Sequence, residues 1–199
     1  MINTEIIKKC QAKDEEAFYE LYQAVNKKAF WTAYLLAGNK DIAEDIVQEA
    51  FLKCFMHIEK LQKPELFPVW FHRILVRTCW SVLSKKKKII TESLEERNEE
   101  LADDTNLWET VETNQTNSLI RSAIRKLKPK MRLTIILYYY NDMTVKEIAQ
   151  VMGCLQGTVK TRLHYAKKEL EKTLGKQLED NSSVRMYRKE CIINDRTIG

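Results

Sequence analysis

The chain is predicted to be all-α: two small helical domains joined by an acidic flexible linker, the second domain carrying a helix-turn-helix. Three observations predict this. Only five glycines and three prolines occur in 199 residues, too few for a turn-rich β fold. Apolar residues recur at i, i+3, i+4 and i+7 in stretches bounded by capping residues and glycines. Charge comes in blocks: residues 1–90 hold 15 Lys/Arg against 11 Asp/Glu, 91–117 hold one against nine, 118–175 hold 12 against four, and 176–199 hold five against four. Two basic modules flanking an acidic connector suit a chain that grips a polyanion at two separated places.

Taken in order, Asp14 is expected to cap a helix running to Ala37, with Phe18, Tyr22, Phe30 and Trp31 along it and Gly38 as its stop. Asp41 and Glu44 have capping-box spacing for the next helix. There Ala43, Ile46, Val47, Ala50, Phe51, Cys54 and Ile58 form a broad apolar face. Leu61 to Pro68 holds two prolines and reads as a loop. A third helix follows from Val69 to about Ser84 and ends in the run Lys85 to Lys88. Residues 91–117 are polar, acidic and aperiodic, with Trp108 their one large apolar anchor, and read as extended linker. Residues 119–127 begin a second set of helices. Pro129 opens the next at its first turn, and Leu133 to Tyr140 supply its core. The tail from residue 176 has no clear periodicity.

The densest pattern is TVKEIAQVMGCLQGTVKTRLHYAKKELEKTL, Thr144 to Leu174. Thr144 and Glu147 form a capping box. Val145, Ile148, Ala149 and Met152 make one apolar stripe, and Gly153 stands where a helix stop tolerates positive φ. A second stripe, Val159, Leu163, Ala166, Leu170 and Leu174, can dock on the first. That leaves Thr158, Thr161, Arg162, Tyr165 and Lys168 on another face, with Lys160, His164 and Lys167 beside them. Hydroxyls, cations and an aromatic suit phosphates and base edges. A plain helical hairpin with a solvated basic face is the alternative.

Two further constellations stand out. Asp45, Gln48 and Glu49 sit at i, i+3 and i+4 on one helix face opposite the buried stripe. They form an acceptor-rich patch or a solvated face; exposed carboxylates there lack the burial that tunes acid–base catalysis. On the third helix Arg73, Arg77 and Ser84 follow one face toward the lysines, interleaved with Trp70, Phe71 and Trp80. Cations beside aromatics can track a phosphate backbone while stacking bases, although the tryptophans could equally be core.

Several classes are excluded or disfavoured. No phosphate-cradling glycine loop, nucleophile elbow or HExxH motif occurs, so neither an enzyme nor a cofactor is expected. Cys10, Cys54, Cys79, Cys154 and Cys191 lack CxxC or Cys/His spacing, and His57, His72 and His164 are isolated. Reduced thiols, no metal site and a cytoplasmic location are expected. The longest apolar run, Leu133 to Tyr140, is too short to span a bilayer, and the N-terminus has no signal-peptide core.

In combination DIAEDIVQEAF, a Trp-Phe-His-Arg-Ile helix ending in lysines, an acidic linker and GTVKTRLHYAKKEL resemble the extracytoplasmic-function (ECF) group of the sigma-70 family, over roughly residues 5–174. The resemblance implies two helical domains without enzymatic activity that bind core RNA polymerase and direct it to promoters. It implies that residues 1–90 bind polymerase and recognise and melt the −10 element, that 91–117 thread through the polymerase, and that 118–175 read the −35 element. Asp45, Gln48 and Glu49 would face polymerase. Lys63, Phe67, Trp70, Arg73 and Arg77 would contact −10 DNA. Thr158, Lys160, Thr161, Arg162, His164 and Tyr165 would contact −35 DNA. An anti-sigma protein, often membrane-bound, is the other implied partner. Three positions depart from the family's habit: Arg77, where Asn is frequent; Leu155, where Ser or Pro is common; and Tyr165, where Arg is common. A stand-alone helix-turn-helix repressor or response-regulator output domain is the alternative. It would account for residues 118–174 but not for the polar face on the Asp41 helix or the acidic connector.

Overall fold

The computed structural model describes residues 3–93 and 115–179, with side chains over 3–86 and 119–175. Among the described residues there are eight α-helices and no strands.

The first, α1 (Thr4–Gln11), has Asn3 as its cap, whose side chain accepts from Glu5 N–H at 3.0 Å. It buries Ile7 and Cys10. Asp14 caps α2 (Glu15–Ala37) by accepting from Ala17 N–H at 3.0 Å, and Gly38 ends it at φ 75°, the left-handed conformation a glycine stop provides. Helix α3 (Lys40–His57) starts one residue before the expected Asp41 box. The reason is local: the Asn39 carboxamide accepts from Ile42 N–H at 2.9 Å and so takes the cap position. Two 3₁₀ turns follow, Ile58–Lys60 just before the proline-bearing segment and Pro64–Leu66 within it. Gln11 ties that segment to α1 by donating to Ile58 O at 3.1 Å and Leu61 O at 2.6 Å.

Helix α4 (Phe67–Ser93) is longer than the sequence predicted at both ends. Then come α5 (Gln115–Lys126), so that 115–117 of the expected linker are helical, and α6 (Pro129–Ile135), which runs into a π-helical turn, Ile136–Tyr140. Helices α7 (Val145–Met152) and α8 (Gln156–Glu179) complete the fold. α8 passes straight through Gly175, so the predicted tail begins later than expected. The rest of that tail, the acidic stretch 94–114, Trp108 and Cys191 lie outside the described residues.

Helices α2, α3 and α4 pack around Leu21, Ile46, Phe71 and Leu75. α6, α7 and α8 pack around Leu133, Leu137, Ile148 and Val159, and the buried side chains of the two lobes join in one hydrophobic cluster. The two lobes also touch, α4 against α7 and α2 against the π turn. A buried polar cluster sits there. Asn141 Nδ2 donates to Thr32 Oγ1 at 2.9 Å and to Ile136 O at 3.3 Å, and Thr32 Oγ1 donates to Lys28 O at 2.7 Å. His72 Nδ1 donates to Pro68 O at 2.7 Å, and its Nε2 meets Asn141 Oδ1 at 3.0 Å. Lys28 and Asp142 pair at the rim at 3.0 Å, an exposed contact worth little on its own. Arg132 ties α6 to the end of α2 by donating to Leu36 O at 3.2 Å. Burial, and then the neighbouring Arg125 charge, hold its proton affinity below the usual guanidinium range.

Because a stranded buried partner costs about 1–3 kcal/mol, Asn141→Ala is expected to lower the melting temperature by several degrees. Thermal denaturation followed by circular dichroism checks this. The thiols of Cys10, Cys54 and Cys79 are pushed up to about 11, about 12 and about 12, chiefly by burial. Their reactive thiolates are therefore scarce at pH 8. Iodoacetamide at that pH should leave all three unlabelled in the native protein and label them after denaturation, as read by mass spectrometry.

Candidate nucleic-acid interface

The α7–α8 unit is built as its sequence requires. Thr144 N–H donates to Glu147 Oε2 at 2.8 Å and Glu147 N–H to Thr144 Oγ1 at 3.3 Å, closing the capping box. Ile148 and Ala149 are buried as expected, Val151 joins them, and Val145 and Met152 are half-buried. Gly153, at φ 61°, turns the chain. α8 then docks through buried Val159, Leu163 and Ala166.

This docking leaves Lys160, Thr161, His164, Tyr165 and Lys168 exposed, Tyr165 at 52 %. Thr158 and Arg162 sit at the edge, half-buried. The Arg162 guanidinium is 3.6 Å from Cys154 Sγ and 3.9 Å from Met152 Sδ. Four of the six predicted −35 residues thus share an open face and two flank it. An exposed basic helix docked through one apolar stripe beyond a left-handed turn can lie in a major groove.

The predicted −10 set is more dispersed. Lys63 and Arg77 are exposed and Trp70 is half-buried. Phe67 is not available: it is 1 % exposed and stacks on Phe71 with ring centroids 5.6 Å apart. The aromatic beside Pro68 belongs to the core because α4 starts at Phe67 and turns its first residue inward. Phe71 is likewise fully buried. The Arg73 Nη2 donates to Gln150 O of α7 at 3.0 Å across the lobe boundary. Ser84, Lys85 and Lys86 are exposed along the continuing helix.

On α3, Asp45 and Gln48 are exposed. Glu49 is engaged: its Oε1 accepts from Lys53 Nζ at 2.6 Å, and Lys53 also donates to Thr78 Oγ1 at 3.2 Å. The same face continues in two apolar residues that sequence reasoning passed over, Leu52 and Met56, 59 % and 54 % exposed. They follow Gln48 at i+4 and i+8, and that spacing was the available signal. Among the described residues no group of three or more His, Cys, Asp or Glu could hold a metal, and no helix is long and apolar enough to cross a membrane.

Two basic helical lobes, one ending in a helix with an exposed cationic face and the other presenting an exposed polar face on α3, suit a promoter-recognition subunit. Family comparison agrees: residues 17–89 match the model for sigma-70 region 2 and residues 118–170 that for sigma-70 region 4. The chain belongs to the ECF group of sigma-70 RNA polymerase sigma factors, initiation factors without enzymatic activity of their own.

Among curated relatives it is 30% identical over 176 residues to the ECF RNA polymerase sigma factor SigW of Bacillus subtilis, covering 84% of this chain and 94% of that protein. It is 34% identical over 151 residues to the RNA polymerase sigma factor SigV of the same organism, covering 73% and 83%. Its fold resembles that of the sigma factor RpoE from Bartonella quintana, solved with the anti-sigma factor NepR. The TM-score is 0.67 at 22% identity, over 79% of this chain and 96% of that one. CnrH, solved with the cytosolic domain of CnrY, gives a TM-score of 0.64 at 16% identity, over 86% and 96%.

Proposed function

We propose that residues 1–90 seat the chain on core RNA polymerase and engage the −10 element, while residues 118–175 read the −35 element. The observation that carries this reading is the open face of Lys160, Thr161, His164, Tyr165 and Lys168 on a helix docked behind a left-handed turn. Thr158 and Arg162 flank the groove contact. Asp45, Gln48 and Glu49 form the polymerase face, extended by the exposed Leu52 and Met56. Lys63, Trp70, Arg73 and Arg77 are the −10 set, without Phe67. Arg73 reaches DNA only once α7 has withdrawn, because Gln150 O now holds it. The acidic segment 91–117 passes between the two sites. An anti-sigma factor, of a kind often membrane-bound in this family, is the regulatory partner, and the site of action is the cytoplasm.

A mobility-shift experiment separates this reading from the stand-alone repressor. The full chain is expected to shift promoter duplex strongly only when core polymerase is present. A homodimer shifting duplex DNA by itself with nanomolar affinity would establish the repressor instead. Reversing charge at the polymerase face tests the other contact. Asp45→Lys is expected to weaken capture of core polymerase by ten-fold or more, since like charges facing each other across an interface cost several kcal/mol. Wild-type capture in a pull-down would mean that the face is merely solvated.

A further inference from the structure

We propose that Leu155 reads a thymine methyl group in the upstream promoter element. This rests on the groove assignment of α8 and adds a specificity residue to it. Leu155 is the N-cap of α8: its carbonyl accepts from Thr158 N–H at 3.0 Å and Val159 N–H at 3.2 Å. The residues at this end of a groove helix are those that meet base edges.

Two choices here are poor for folding. Leucine has no side-chain acceptor and cannot cap, so the stabilisation that Ser, Thr, Asn or Asp would give is lost. Its side chain is also 80 % exposed, the highest value for a large apolar residue among the described residues. Two positions on, Gly157 is helical and exposed, and a Cβ placed there would meet nothing within 4 Å. The protein's own packing therefore does not require a glycine, which is less stable than alanine inside a helix. Adjacent local choices that oppose folding, without gain inside the fold, mark a surface shaped for something outside it. Gly157 leaves room for close approach, and Leu155 offers an apolar tip.

The occupant follows from the setting. Lys160 and Lys168 are exposed on the same helix and draw a polyanion. Most of a major-groove edge is hydrogen-bond donors and acceptors; the apolar group that distinguishes one base there is the thymine 5-methyl. Leu155 covers that methyl, and Lys160 and Lys168, farther along α8, hold phosphates.

Deoxyuridine, which lacks only the methyl, tests the assignment. Run-off transcription is measured with the full chain and core polymerase on a promoter they use, each thymine of the upstream element being replaced singly. With the wild-type chain one replacement is expected to lower initiation about four-fold, the worth of one buried methyl-sized group. With Leu155→Ala the same replacement should have no further effect. Leu155→Ser, which supplies a helix cap and so guards against misfolding, should behave likewise. Insensitivity to every methyl, or equal sensitivity in wild type and Leu155→Ala, would overturn the proposal. Lys160→Ala is the separate control: if it lowers initiation while no methyl matters, α8 is in the groove and only the Leu155 assignment fails. If scrambling the element and Lys160→Ala both change nothing, the groove assignment itself fails, and the Leu155 assignment with it.

Discussion

Replacing Lys160 and Tyr165 together by alanine is expected to reduce transcription from a −35-dependent promoter thirty-fold or more, with capture of core polymerase unchanged. Both side chains are exposed on the open face of α8, clear of its buried stripe of Val159, Leu163 and Ala166, so their removal leaves the docking of α8 intact. A direct contact to a base or phosphate is worth about 1–3 kcal/mol, and two lost together account for that factor. The Lys160 contribution should also be visible as a shallower salt dependence of promoter binding, because each phosphate contact adds roughly one unit to that slope. Run-off transcription beside a polymerase pull-down checks both halves. Transcription at wild-type level would remove α8 from the groove; loss of polymerase capture would show that the face serves a different partner.

The other large effect is structural. Phe71→Ala is expected to destabilise the first lobe by about 3–5 kcal/mol. That is much of the 5–15 kcal/mol a small domain has available. Phe71 is fully buried, with Phe51 at 4.9 Å and Phe67 at 5.6 Å between ring centroids. The space it leaves is walled by stiff aromatics that refill a cavity poorly. The denaturant midpoint of the purified chain should fall accordingly, and −10 recognition should fail because α4 is no longer held against α3. A midpoint within error of wild type would contradict the packing described for α2, α3 and α4.

Elements with local signals were legible in the sequence. Asp14 and Gly38 bound α2, the Thr144–Glu147 box opens α7, and the Val159–Leu163–Ala166 stripe orients α8, because each signal is a short-range interaction made by its own residues. Helix α1 was missed because it is short and buries only Ile7 and Cys10. The run of α8 through Gly175 was missed because a glycine weakens a helix without ending it. Phe67 was misplaced because a large aromatic beside a proline carries no sign of whether it faces core or solvent; the α4 register decides that. The lobe contact was unreadable. It depends on Thr32, His72 and Asn141, polar residues far apart in sequence that would each be expected at a surface. For the proposed sites, charge and spacing picked out residues that the structure leaves exposed on α8 and, at Asp45 and Gln48, on α3. Neither could show that Arg73 and Glu49 are engaged by Gln150 and Lys53.

The most direct measurement maps where RNA synthesis starts when purified core polymerase transcribes genomic DNA with and without this chain. With it present, the chain should co-elute with the polymerase, and 5′ ends should gather at a limited set of positions sharing two upstream elements. An unaltered pattern of starts, with the chain and polymerase eluting apart, would contradict the account.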